Sequence, residues 1–336
     1  MEVVPRISIV TPSFNQGRYI EQTIQSVLSQ NYPNLEYIII DGGSTDDTLG
    51  IIKKYEKRLT YWVSEPDKGQ TDAINKGYEK CTGEIFNWIN SDDYYEPDTF
   101  HKLLSHFTDM SVNVVCGREW GFKNDNPAEK ILSSGSVLKK NVFESIRIGI
   151  IDQPCTFFRK KCIDNLFPLD ISLKYVMDRQ LWWAYLLKYD QGNIKQTGDV
   201  FTNFRLHSRS KSVLEGEMFE EEFDRLKLTL FRQLQLPVII EKQLHQNIAP
   251  LNSSWQIRVE PVDLISASFA SFYAQANYVK NDIRSVSTLM QLVRKWKNWS
   301  MDKKEWKLWL VSSILPASLV AKAKQIKSKL SFGYCF

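Results

Sequence analysis

Two carboxylates in succession, Asp92 and Asp93, follow Asn90-Ser91 at the end of the apolar run Ile85 to Ile89. Such a run reads as a buried strand, with Gly83 punctuating just before it. Paired carboxylates at a strand end suit a hard divalent cation, which takes oxygen ligands. An isolated Asp-Asp is more simply a solvated turn. Here two further polar clusters accompany it: Thr11 to Asn15 closes the run that starts at Ile7, and Asp41 to Asp46 closes the run Leu35 to Ile40. In open α/β sheets ligands bind outside the carboxyl ends of the strands, so three clusters on one edge form one site. A further carboxylate, Asp178, stands ahead of Leu181, Trp182, Tyr185, Leu186 and Tyr189, which have helical spacing. The free N–H groups and the dipole favour a carboxylate at a helix N-terminus, so a plain helix cap is the competing reading of Asp178.

The elements that must position these residues alternate. Ile7 to Thr11 reads as a strand, and Ile20, Ile24, Val27 and Leu28 make Arg18 to Gln30 an amphipathic helix. Leu35 to Ile40 is a second strand, apolar almost throughout, as expected of a parallel strand covered on both faces. A helix starts near Ser44 to Asp47, a third strand covers Leu59 to Val63, and Gln70 to Lys80 is a helix. Pro97 fits the first turn of the helix after the acid pair, and Val112 to Cys116 is a fifth strand. This order predicts right-handed βαβ units and a mostly parallel sheet. Beyond residue 120 the pattern predicts strands at Ser133 to Leu138, Gln153 to Phe158 and Val200 to Leu206, and a helix from Arg159 to Leu166. Glu215 to Gln235 is helical and charged, and the rest of the chain is mainly helical.

Composition sets outer limits. A chain of 336 residues, 43% hydrophobic and 24% charged, buries a sizeable core as one large domain or two smaller ones. The five cysteines show no metal-ligand spacing, and no signal peptide is visible ahead of the first strand, which points to a cytoplasmic protein with reduced thiols. Net charge is +4, but Arg294 to Lys329 carries ten basic and two acidic residues, a net of +8, so the remainder is 4 − 8 = −4. The longest apolar stretch, Leu308 to Ala321, is too short for a transmembrane helix and contains Pro316. Basic residues interleaved with tryptophans suit a helix lying on an anionic membrane surface, with a packed basic subdomain as the alternative. No nucleic-acid motif accompanies the charge.

Four stretches in order carry a resemblance: Ser8-Ile9-Val10-Thr11-Pro12-Ser13-Phe14-Asn15, Ile39-Ile40-Asp41-Gly42-Gly43-Ser44-Thr45-Asp46, Gly69-Gln70-Thr71-Asp72-Ala73-Ile74-Asn75-Lys76-Gly77 and Asn90-Ser91-Asp92-Asp93. Tyr175 to Trp182 and Phe204-Arg205-Leu206-His207 with Ser210-Lys211-Ser212 extend it. The chain resembles a family 2 glycosyltransferase of the GT-A fold, of the bacterial polysaccharide type, over roughly residues 5 to 215. The expected organisation is a catalytic domain over 1–215 and a mainly helical region over 216–336.

The resemblance implies roles. Thr11 and Asp41 would bind base and ribose, Phe14 would lie against the base, and Pro12 and Asn15 belong to the same nucleotide-sugar loop. Lys68 and Asp72 would lie near the diphosphate and base. Asp93 would ligate Mn²⁺ or Mg²⁺, Asp92 would contact ribose or sugar, and His207 would approach the metal or the diphosphate. Asn90 departs from the commoner Asp-x-Asp-Asp pattern and leaves a sugar contact open. Asp178 would be the general base of an inverting single displacement, with Asp170 and Asp152 as weaker alternatives. The donor would be a nucleoside-diphosphate sugar, UDP-linked, and the acceptor a glycan or lipid-linked hydroxyl at the inner face of the cytoplasmic membrane. The family's processive members carry a Gln-x-x-Arg-Trp motif, absent here, so one sugar is transferred at a time. Two rivals remain: a sugar-nucleotide nucleotidyltransferase, which needs a Gly-rich, Arg-containing loop after the first strand, and a catalytically silent sugar-nucleotide-binding scaffold, which would have lost Asp93 or Asp178.

Overall fold

The computed structural model describes residues 4–123, 129–148, 150–207, 216–245, 247–251, 262–280, 282–296 and 301–314. The chain divides into two units, Met1–Phe223 with Leu251–Ser253, and Asp224–Pro250 with Ser254–Phe336.

The first unit is built on one sheet. Its strands are β1 (Ile7–Ser13), β2 (Leu35–Asp41), β3 (Tyr61–Ser64), β4 (Ile85–Trp88), β5 (Tyr94–Tyr95), β6 (Val114–Lys123), β7 (Ile131–Leu132), β8 (Thr156–Arg159) and β9 (Ile194–Leu206). They lie in the order β3-β2-β1-β4-β8-β6-β9-β5, with β7 paired to β6. β3, β2, β1 and β4 are mutually parallel. Beyond β4 the sheet is mixed: β8 runs antiparallel to both β4 and β6, whereas β6 and β9 are parallel. The parallel half is the part whose strands alternate with helices α1 (Ile20–Leu28), α2 (Thr48–Tyr55) and α3 (Gln70–Lys80). The expected apolar stripe holds: Ile20, Ile24, Val27 and Leu28 of α1 are buried against Ile7, Ile9, Tyr37 and Ile39 of the sheet.

Three predicted elements differ. β6 runs on from Cys116 to Lys123, because its second half pairs with β9 from Arg118↔Val200 to Lys123↔Leu206. The ladder shifts register on either side of Arg118, and Gly117 is required there: a Cβ would meet the Phe201 ring at 2.3 Å. The strand expected over 133–138 is only an isolated bridge, Val137↔Ile150, and the short strand β7 ends just before that stretch. The helix expected over 159–166 is a single turn, α6 (Lys160–Ile163), followed by a 3₁₀ turn at Asp164–Leu166. Arg159 instead ends β8, its guanidinium bonding the carbonyls of Val112, Phe107 and Asp109 at 2.6, 2.7 and 3.1 Å. The unit is completed by α4 (Thr99–Phe107), α5 (Val142–Ile148) and α7 (Met177–Tyr189).

Helix α8 (Gly216–Gln233) carries the chain into the second unit, so the division falls within a helix rather than ahead of it. That unit is helical: α9 (Val238–Glu241), α10 (Val262–Val279), α11 (Ile283–Lys295) and α12 (Lys303–Ile314). Phe231 meets Phe269 edge-on at 4.7 Å, and buried Glu305 binds the Ser271 hydroxyl and the Asp302 N–H. Of the basic, Trp-rich tail, Trp309 lies under the Arg294 guanidinium at 4.5 Å, while Trp306 is 46% exposed. Trp299 and residues 315–336 lie outside the described residues. Among the described residues no helix is long and apolar enough to cross a membrane.

Candidate active site

A cavity of about 810 Å³ opens at the carboxyl ends of the parallel strands, lined by the first unit alone. Its walls take Pro12 and Ser13 from the end of β1, Gly42 from just beyond β2, and Trp88 to Asp92 around the end of β4 except Ile89. The size is that of a small-ligand pocket. Phe14 lines it with 58% of its surface exposed, a largely uncovered apolar side chain. Gly42 is a glycine for a local reason: a Cβ there would come 2.7 Å from the Asp67 carboxylate, which also faces the cavity.

The acid pair divides its work. Asp92 lies on the cavity wall, and its Oδ2 is 3.1 Å from Nε2 of His207. Asp93 is not on the wall. It is 1% exposed, its Oδ1 accepts the backbone N–H of Arg205 at 2.9 Å, and its Oδ2 accepts the Asn90 amide at 3.3 Å. Burial, with the neighbouring Asp92 charge, holds the Asp93 carboxyl well above the usual range. Sequence reasoning expected Asp93 to reach the cation, yet Asp92 is the acid that faces the cavity: the adjacent residues face opposite ways, and the inward one is claimed by β9. Asn90 suits this arrangement because its amide accepts from Gln70 at 2.7 Å and donates to Asp93, a donation a carboxylate there could not make.

Arg205 fastens the turn. Its Nε donates to the Asp92 carbonyl at 3.0 Å and its Nη2 to Gln22 at 2.5 Å, with its guanidinium over Tyr19, Phe122 and Tyr94 at 4.8, 5.0 and 5.7 Å. The Thr23 hydroxyl of α1 closes the other side, bonding the carbonyls of Ser91 and Asp93 at 3.0 and 2.6 Å.

Of the other expected site residues, Pro12, Phe14 and Asp178 line the cavity and Thr11, Asn15, Asp41, Lys68 and Asp72 do not. Thr11 is buried against the Tyr37 hydroxyl at 3.1 Å. Asn15, with φ 51°, accepts the Thr45 N–H at 2.9 Å and so ties the first loop to the second. The Asp41 carboxylate is taken by the Ser44 N–H and hydroxyl and by the Ser64 hydroxyl, at 2.9, 2.5 and 2.6 Å. These bonds shape the loop that offers Gly42. Lys68 is exposed, and its N–H is held by Asp72 at 3.0 Å; Asp72 also lies 3.7 Å from Lys76.

Asp178 sits in the first turn of α7, on the wall, its Oδ1 accepting the Arg179 N–H at 2.8 Å. The residue as a whole is partly exposed, yet its carboxyl is desolvated. Burial raises its pKa; the Arg179 charge and N–H oppose this, and Asp152 adds to it. The loop before it is clamped by buried Glu222, which accepts the N–H groups of Lys174, Tyr175 and Val176 at 2.8, 2.8 and 3.4 Å. Asp170 is absent from the wall; Asp152 is on it.

Residues 8–167 match the family model described as glycosyl transferase family 2. That stretch, 160 of the 336 residues, is a family 2 glycosyltransferase domain. An uncharacterised glycosyltransferase of Rickettsia typhi is 29% identical to this chain over 188 residues, 54% of the chain and 59% of the relative. Chondroitin synthase of Escherichia coli is 27% identical over 222 residues, 65% of the chain but 31% of that protein. The match to both thus spans less than two thirds of their length. Among solved structures, S. aureus TarS residues 1–349 in complex with UDP superposes with a TM-score of 0.54 at 17% identity, covering 92% of this chain and 87% of that one. The same TarS fragment with UDP-GlcNAc gives 0.54 at 18%, over 86% and 81%. At these identities the likeness establishes the GT-A fold and nothing further.

Sequence reasoning missed Asp67, Glu119, Gln153 and Lys174 as site residues, all on the cavity wall. Gln70, Tyr175 and Arg205 stood inside quoted motifs without a role, and all three line the wall. For Glu119 the sequence holds no local signal, because a register shift between two distant strands places it.

Proposed function

We propose that this protein moves one sugar from a UDP-sugar to a hydroxyl of a glycan or lipid-linked acceptor in polysaccharide biosynthesis, with inversion. The observation that carries the reading is one cavity holding the Asp92 carboxylate beside His207, the bare Phe14 face, and the desolvated Asp178 carboxyl. Phe14 supplies a face for a base; TarS, the neighbour in fold, is solved with UDP and with UDP-GlcNAc. A carboxylate oxygen and an imidazole nitrogen 3.1 Å apart fit Mn²⁺ or Mg²⁺, which takes one or two protein ligands and completes its shell from phosphates and water. Asp92 and His207 would hold that ion, whose charge when bound would offset the charge of the leaving diphosphate. Asp178 takes the proton of the acceptor hydroxyl as its oxygen attacks the anomeric carbon, and its raised pKa makes it a stronger base than a surface aspartate.

Calorimetric titration with UDP, GDP and CDP, each with Mn²⁺ and with EDTA, tests the donor reading. UDP is expected to bind with metal-dependent affinity; preference for another nucleotide would sink the choice of UDP, and absence of any binding would sink the reading.

Attachment of the tail to an anionic membrane surface belongs to the same proposal. It is supported by the net +8 over residues 294–329 and by Trp306 and Leu310, one helical turn apart and both exposed on α12. The protein is expected to co-sediment with vesicles containing anionic lipid at low salt and to be released as salt screens the charges. Sedimentation that ignores lipid charge would leave the tail an ordinary packed element.

A further inference from the structure

We propose that Glu119 and Asp152 form the acceptor subsite of this cavity, a pair of carboxyl groups that receives adjacent hydroxyls of a neutral sugar acceptor. The inference rests on the glycosyl-transfer reading above. Both residues line the cavity, and each has a buried carboxyl oxygen, Oε2 of Glu119 and Oδ2 of Asp152, with no hydrogen-bond partner in the protein. Buried polar atoms without partners are costly, and the cost is relieved when a ligand supplies donors.

The surroundings show that the pair is built and not incidental. Glu119 follows the register shift at Gly117 to Arg118, the kind of irregularity that re-aims a side chain beside a site. Its backbone is pinned on both sides by Ser133: the Glu119 N–H reaches the Ser133 hydroxyl at 3.1 Å, and the Glu119 carbonyl accepts the Ser133 N–H at 2.9 Å. The Asp152 backbone is equally fixed, its N–H on the Ser136 hydroxyl at 3.0 Å and its carbonyl accepting the Thr156 hydroxyl at 2.8 Å. The next residue, Gln153, bolts this turn to β4 through the Asn87 side chain and the Trp88 carbonyl, both at 2.8 Å. Main chains are held, the Asp152 carboxyl meets the Ser133 hydroxyl and the Gly135 N–H, and Oε2 of Glu119 and Oδ2 of Asp152 stay buried on the wall without a partner.

The chemistry selects the ligand. Burial, with the charge of Asp152, pushes Glu119 up to about 8, so it holds a proton near neutrality; burial raises Asp152 as well, opposed by the Ser133 hydroxyl and the Gly135 N–H. Such a pair both donates and accepts, as does each sugar hydroxyl. The Asp152 charge is felt at Asp178, so the pair neighbours the base. One acceptor hydroxyl can meet Asp178 while its ring neighbours meet Glu119 and Asp152.

The test uses the full chain with UDP and Mn²⁺, saturation-transfer NMR, and as probes methyl hexopyranosides with vicinal hydroxyls and their monodeoxy analogues. Saturable binding is expected, weakened about tenfold in E119Q and in D152N, since a hydrogen bond to a charged or partly charged group is at stake. UDP affinity, read in parallel by calorimetry, is expected to stay unchanged. The deoxy analogue should lose affinity for the wild type but no further affinity for E119Q/D152N, the coupling that a shared contact requires. In transfer assays the variants should raise the acceptor KM and leave kcat, the opposite split to loss of a base. Equal glycoside affinity in the wild type and E119Q/D152N overturns the subsite, as does normal UDP binding with no saturable glycoside. Failure of the wild type to bind UDP would instead remove the donor reading, and this inference with it.

Discussion

Asp178→Asn is expected to bind UDP and metal as the wild type does and to lose acceptor transfer by on the order of 10²–10⁴, the usual contribution of a general base. The carboxylate is desolvated at the start of α7, and asparagine keeps its shape and its contact with the Arg179 N–H while removing the ability to take a proton. The pH dependence follows from the same burial. A base works ionised, so kcat should rise with pH through a limb lying above the ordinary aspartate value of about 3.9, and the variant should lack that limb. Stability should move the other way. A group whose folded-state pKa is raised holds more protons folded than unfolded between the two values, so it costs stability as pH climbs through them. Asp178→Asn is thus expected to be at least as stable as the wild type at neutral pH by urea titration, which separates lost chemistry from lost fold. Near-normal turnover would transfer the base role to Asp152, the other earlier candidate that lines the cavity. A product of retained anomeric configuration, read by NMR, would overturn the single displacement itself.

What could be read in the sequence and what could not divides along chain distance. The strands β1 and β2 and the buried stripe of α1 follow from local apolar pattern, and so do the three polar clusters at the strand ends. The facing of Asp92 and Asp93 does not, since it is decided by the N–H of Arg205, 112 residues further on. Asp41 was legible as a strand-end acceptor with Ser44 close by in the chain, but its bond to Ser64 comes from a strand that meets it only in three dimensions. Gly117, Arg118 and Glu119 break the apolar run, so the fifth strand seemed to stop at Cys116. Pairing with β9 carries it on to Lys123, and the irregularity where pattern and pairing disagree is where Glu119 enters the cavity. The tail remains a matter of composition beyond residue 314, where the described residues end.

The second large effect is expected at the other end of the cavity. Asp92→Ala should abolish the Mn²⁺-dependent part of UDP affinity, a loss on the order of 10–100-fold or more, because one of two protein ligands disappears and even partners of ligands are worth that much. His207→Ala should reduce the same metal-dependent term, since its Nε2 faces the same Asp92 oxygen at 3.1 Å and its ring packs on Tyr19 at 4.7 Å. Asp93→Asn is the informative contrast. The Asp93 carboxyl is buried, held well above the usual range by that burial, and engaged with Arg205 and Asn90 away from the wall. An amide can still accept the Arg205 N–H, so the metal-dependent affinity should survive in this variant. Asp93→Ala removes that acceptor and is expected to cost about 1–3 kcal/mol of stability, read by chemical denaturation, without a matching change in the affinity of the folded molecules. Calorimetry of UDP with Mn²⁺ and with EDTA across these four variants decides between the two acids. Metal dependence that persists in Asp92→Ala and vanishes in a well-folded Asp93→Asn would return the cation to Asp93, and the turn would then have to open away from Arg205 when the donor binds.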